Sequence, residues 1–196
     1  MYLIRLIILC NCLLFFAYSN SVACTKDDND HAIDLVIQGK NDESLAFISA
    51  KLKECPNDID LRKGRVTLLY GKKMYRAAQE DNEYLLKIDP LNEDYLMVRC
   101  ILSESIAPEN TKDFHLACYK NLSEIIKAKN KGKPLLETED AASYVAAVSM
   151  AELPEAEEIR RQYLKFLDTS GKDQFYIDFE RNIFLHFDRK KLLLPR

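Results

Sequence analysis

His115 and Cys118 stand three residues apart, a spacing at which two side chains on one helix can reach the same metal ion. Two donors do not make a site, and the other histidines, His31 and His186, lie far off in the chain. The acidic run from Asp27 to His31 has the charge for calcium but lacks the glycine and closing glutamate of an EF-hand loop. It reads as a solvated helix entry, its aspartates set against the positive end of the helix. Arg62-Lys63-Gly64-Arg65 could hold a phosphate, yet on a helix only Arg62 and Arg65 share a face, so a mixed solvated surface is expected. No HExxH, nucleophile elbow or phosphate loop occurs. The expectation is a protein without catalysis, metal or cofactor, whose remaining chemistry is that of its thiols and its surface.

Those thiols have to be placed in a compartment. Residues 1–23 carry one cation, Arg5, an apolar run from Leu6 to Phe16 broken by Asn11, and a short polar stretch ending Ser21-Val22-Ala23. This is the pattern of a cleaved secretory signal peptide; the run is too short for a membrane span of about 20 apolar residues. Val22-Ala23-Cys24 also resembles the end of a bacterial lipobox, although Ser21 stands where an aliphatic residue is usual. Cys24 therefore has two open readings, a lipid anchor or half of a disulfide. The remaining 173 residues hold 27 basic and 31 acidic side chains, a formal charge of −4, which invites no nucleic acid. With five glycines and six prolines in the whole chain, turn residues are too few for a sheet protein, and an all-α chain with a sizeable core follows.

The elements that position these groups repeat. Pro56 in KECPND and Pro90 in KIDPLN lie 34 residues apart. Each closes a run of helical periodicity, Leu45, Ile48 and Leu52 before the first and Ala78, Leu85, Leu86 and Ile88 before the second, and each is followed by Asn or Asp able to cap a new helix. The spacing resembles that of the tetratricopeptide repeat, a helix-turn-helix unit of this period. In the first unit Gly39 matches the turn, Ser44 the small place, Ile48 the bulky place and Pro56 the terminal proline. In the second, Val66, Leu69, Tyr75, Ala78, Leu85 and Pro90 follow. The chain departs from the pattern in having no Trp, in Asn82 where an aromatic residue is usual, and in Gly71, two places early.

The resemblance implies a right-handed superhelical stack of antiparallel helix pairs, a TPR-like α-solenoid over 24–196, with units at about 25–58, 59–92, 93–130 and 137–168. The third has a turn enlarged by IAPEN, with Cys118, Leu122 and Ile125 recovering the places of its second helix. KAKNKGKP is a linker, Pro154 opens the last helix of the fourth pair in its first turn, and an aromatic-rich helix at 172–190 caps the stack.

The same resemblance places Cys100 against Cys118, and Cys24 at the start of one helix near Cys55 at the end of its antiparallel partner, so two disulfides are implied. Buried free thiols at Cys100 and Cys118, and a lipid on Cys24, are the alternatives. It also implies a concave groove lined by Asp60, Lys63, Thr67 and Tyr70 from the second unit and Asp94, Met97, Ile101 and Glu104 from the third, a mixed lining suited to a protein or peptide partner. The alternative is that Tyr70, Met97 and Ile101 are core, packed under the C-terminal half. The expected function is that of a monomeric, exported, non-catalytic binding module or scaffold of the cell envelope or periplasm. An immunity protein that neutralises an exported toxin, and a lipid-anchored assembly factor touching the membrane only through Cys24, are the alternatives.

Overall fold

In the first helix pair the chain turns on one left-handed residue. α1 (Lys26–Ile37) opens with a capping box in which Thr25 and Asp28 exchange bonds, and ends where Gly39, at φ 75°, lets Lys40 N–H reach Leu35 C=O at 2.8 Å. α2 (Asn41–Glu54) then returns along it, and Ala32, Leu35, Ile48 and Leu52 close the apolar seam. Ser44 is small because its hydroxyl donates to Ala32 C=O at 2.9 Å across that seam. The computed structural model describes residues 24–107 and 111–193, and the predicted leader, 1–23, lies outside them. The described residues form α-helices, one 3-10 turn (Leu135–Glu137) and no strand.

The described residues divide into two compact units, one up to Leu61 and one from Arg62 onward. α3 (Ile59–Gly71) is capped by Asp58, which accepts from Leu61 N–H at 2.8 Å. In the second unit follow α4 (Tyr75–Ile88), α5 (Glu93–Ile106), α6 (Lys112–Lys129), α7 (Ala141–Met150), α8 (Ala156–Leu167), α9 (Gln174–Leu185) and the short α10 (Arg189–Leu192). From α4 to α9 each helix packs on the next, and α5 also touches α7.

The 34-residue period is written in the backbone. α2 and α4 start at 41 and 75, α3 and α5 at 59 and 93, and the left-handed turn residue recurs as Gly39 and Lys73, the latter at φ 60°. Lys73 N–H and Met74 N–H bond Tyr70 and Leu69 C=O at 2.9 Å each, the same closure as at Gly39. Gly71 is early because it is the last residue of α3, not the turn residue. The period fails after α5: a third repetition would start α6 at 109, and it starts at Lys112.

α7 is apolar almost all round, with Tyr144, Val145, Ala147, Val148 and Met150 buried, as a helix covered on every side must be. On one side it meets Leu96, Leu122 and Ile126, on another Tyr163, Leu167, Ile177 and Phe184. Each such side chain contributes roughly 1.5–3 kcal/mol by leaving water.

α6 faces the core through His115, Tyr119, Leu122 and Ile126, with Cys118 and Ile125 partly buried beside them and packed on it, as expected. Three expectations are corrected by this packing. α6 also runs to Lys129, three residues into the expected linker, because Lys127 and Lys129 find acidic partners in Glu124, Glu93 and Asp140. Pro154 precedes the N-cap of α8, since the left-handed closure at Glu152, φ 52°, ends α7 just before it. The terminal helix stops at Leu185, and Asp188 caps a fresh turn by accepting from Lys190 N–H at 3.0 Å.

Candidate functional site

The cysteines settle first. Cys24 and Cys55 sulfurs lie at bonding distance with Cα atoms 5.7 Å apart, and Cys100 and Cys118 likewise. Both implied pairs are thus present, and a sulfur held by Cys55 offers no thiol for a lipid on Cys24. Among the described residues no cluster of three His, Cys, Asp or Glu side chains is arranged to hold a metal, and no helix is long and apolar enough to cross a membrane.

Arg62 and Arg65 do not form a solvated patch. Asp81, 3% exposed on α4, accepts from Arg62 Nη1 at 2.6 Å and from Arg65 Nε and Nη2 at 2.7 Å each. The hydrogen bond to Asp81 holds the Arg65 guanidinium above its ordinary range. The one face that i, i+3 spacing provides is spent joining α3 to α4. Asn82, the departure from the aromatic pattern, is buried and donates from Nδ2 to Tyr95 C=O at 2.9 Å, tying α4 to α5.

The eight expected groove residues separate into groups. Asp60 is exposed and belongs to the first compact unit. Lys63, Thr67 and Asp94 line a cavity of about 250 Å³ with Val66, Tyr95 and Val98, and the Lys63 ammonium stands 6.0 Å from the Tyr95 ring. Asp94, Met97 and Ile101 line a second cavity of about 340 Å³ whose far wall is α7 and α9, through Ala142, Ser143, Ala146, Met150, Ile183 and Phe184. Tyr70 and Glu104 go elsewhere. The Tyr70 hydroxyl donates to Leu193 C=O at 2.8 Å, and Arg189 Nη2 donates to Glu104 Oε2 at 2.6 Å. Arg189 Nε also donates to Met150 C=O at 3.0 Å, and the Tyr119 hydroxyl to Glu104 at 3.2 Å. Burial, with Glu104 beside it, drives the Tyr119 phenol well above its ordinary range. Phe187 and Leu193 pack on the cluster of Cys100, Tyr119 and Met150 that Met97 and Ile101 join. The C-terminal segment therefore covers the Tyr70–Glu104 part of the expected lining.

Sequence reasoning missed Glu180. It is 7% exposed, lines the second cavity, and its Oε2 has no hydrogen-bond partner among the described residues. Burial raises its carboxyl above the usual range, with Lys172 acting in the opposite sense. The signal was there: Ile177, Glu180 and Phe184 fall on one helical face, an acid between two apolar residues.

No family model, curated protein or solved structure gives a significant match to this chain.

Proposed function

We propose that this is an exported, non-catalytic binding module, a TPR-like stack of helix pairs that takes a protein or peptide segment along α3 and α5. One observation carries the reading. Lys63, Thr67 and Asp94, which the repeat pattern assigns to the inner face, open onto a cavity instead of packing as core, with Tyr95 and Val98 as apolar floor. Charged and hydroxyl groups over an apolar floor are the composition of a protein-recognition surface. The 34-residue recurrence of helix starts and turn geometry supports the repeat assignment, and two paired sets of sulfurs support passage through an oxidising compartment. Net negative charge turns the module away from nucleic acid.

The test is affinity capture from the native envelope with the oxidised protein as bait, repeated with Lys63→Glu and Thr67→Glu. Both sites are exposed, so helical circular dichroism should be unchanged while the captured partner is lost. Capture that ignores both variants would remove this groove from the mechanism.

A further inference from the structure

Glu180 presents a buried polar atom, Oε2, that has no hydrogen-bond partner among the described residues. Its carboxyl sits on α9 at the wall of the 340 Å³ cavity, among Met97, Ile101, Met150, Ile183 and Phe184. No Lys, Arg or His is among the residues lining that cavity, and the other charged group there is a second acid, exposed Asp94, whose Oδ1 accepts from the Ser143 hydroxyl at 3.3 Å. The cavity is thus apolar in its walls and acidic at two points. Buried side-chain oxygens in native proteins almost always have partners, and an orphan beside a void is a place where a group from outside, a water or a ligand, can bond. The volume is at the small end of the roughly 300–1,000 Å³ range of ligand sites.

We propose that this cavity is a binding site for an alkylammonium group, its methylenes packed on Met97, Ile101 and Phe184 and its cation paired with Glu180. The inference rests on the protein-binding reading above and names the anchor that a partner would supply, a lysine side chain. A neutral apolar group would leave Glu180 orphaned, and an anion would meet two carboxyls. Paired to an ammonium, the carboxyl gains a charge-assisted bond that no described residue gives its Oε2. A lysine stem fits because it is a flexible apolar chain with a compact cation at its tip.

Methyl NMR on the full oxidised protein reads the site directly, through Met97, Met150, Ile101 and Ile183. Nα-acetyl-lysine N-methylamide should shift these methyls saturably. The norleucine analogue, the same stem without the nitrogen, should bind about tenfold or more weakly, and Glu180→Gln should erase the difference. Tighter binding of blocked lysine than of n-butylammonium assigns the source to a polypeptide; the reverse ranking assigns it to a free amine, and either supports the ammonium site. Equal binding of lysine and norleucine probes, no shift at Met97 and Met150, or undiminished lysine binding by Glu180→Gln would overturn it. If lysine fails while Lys63→Glu and Thr67→Glu still abolish capture, the anchor is wrong and the groove stands.

Discussion

Arg189 Nη2 lies 2.6 Å from Glu104 Oε2, across 85 residues of sequence. Both side chains are about 15% exposed, and the same guanidinium reaches Met150 C=O and the Tyr119 ring. This pair holds the C-terminal segment against α5 and α7. Arg189→Ala leaves Glu104 half-buried without its cation and should cost about 2–4 kcal/mol, read as a lower urea midpoint at unchanged slope. The double change Glu104→Met with Arg189→Met should cost less than Arg189→Ala alone; a larger loss would contradict a desolvated pair.

Asp81 pairs with two guanidinium groups at once. Asp81→Asn keeps the shape and removes the charge, and a loss of about 3 kcal/mol is expected, with little change from Glu80→Gln one residue earlier on the exposed face. Similar losses at both positions would show that Asp81 is not the joint of α3 and α4.

The Glu180 carboxyl gives a pH signature. Unfolded, it titrates near its ordinary 4.5; folded, burial raises it, so above pH 4.5 the native state holds on to a proton that the unfolded state has released. Stability must then fall as pH rises from 4.5 through the raised value. Lys172, whose charge favours the ionised form, limits the fall, and the Tyr163 phenol nearby stays neutral in this window. Glu180→Leu should abolish this part of the pH dependence and add roughly 1–3 kcal/mol at neutral pH. Denaturation of both proteins from pH 4 to 8 checks it, and parallel curves would refute it.

Lys73 occupies a conformation that L-residues adopt at a cost of roughly 1–2 kcal/mol. Lys73→Gly should stabilise by about 0.5–1 kcal/mol, less than the full strain because glycine also loosens the unfolded chain. Gly39→Ala, at the equivalent turn with φ 75°, should destabilise by a similar amount. Matching signs for the two changes would break the equivalence of these turns.

Two bridges predict that intact mass rises by four hydrogens on reduction, with no diacyl adduct on Cys24. Loss of Cys100–Cys118 by Ser substitution at both sites should cost about 3 kcal/mol in the loop-entropy description.

Local signals carried the architecture. The Pro56 to Pro90 interval located the helix pairs, and Asp58 and Asn92 cap the helices they were expected to open, because such bonds lie within three residues of their origin. Cysteine pairing was implied by the repeat resemblance, and the structure has both pairs at bonding distance. The Arg62-to-Arg65 run was misread because its partner Asp81 sits one helix away, and sequence spacing fixes a face without naming what that face meets. Gly71 falls two places early because the turn residue is Lys73, where the chain accepts a left-handed conformation that glycine would adopt without strain. Tyr70 and Glu104 were assigned to a groove because nothing local announces that Leu193 and Arg189 return to cover them. Glu180 needed only its place on an apolar stripe to be recognised.

The bridge between Cys100 and Cys118 spans the connection from α5 to α6, so a protease that nicks the chain between Ala107 and Thr111 cannot separate the pieces. A clipped molecule would migrate as one band until a thiol reagent is added, and damage at that connection would go unnoticed on a non-reducing gel.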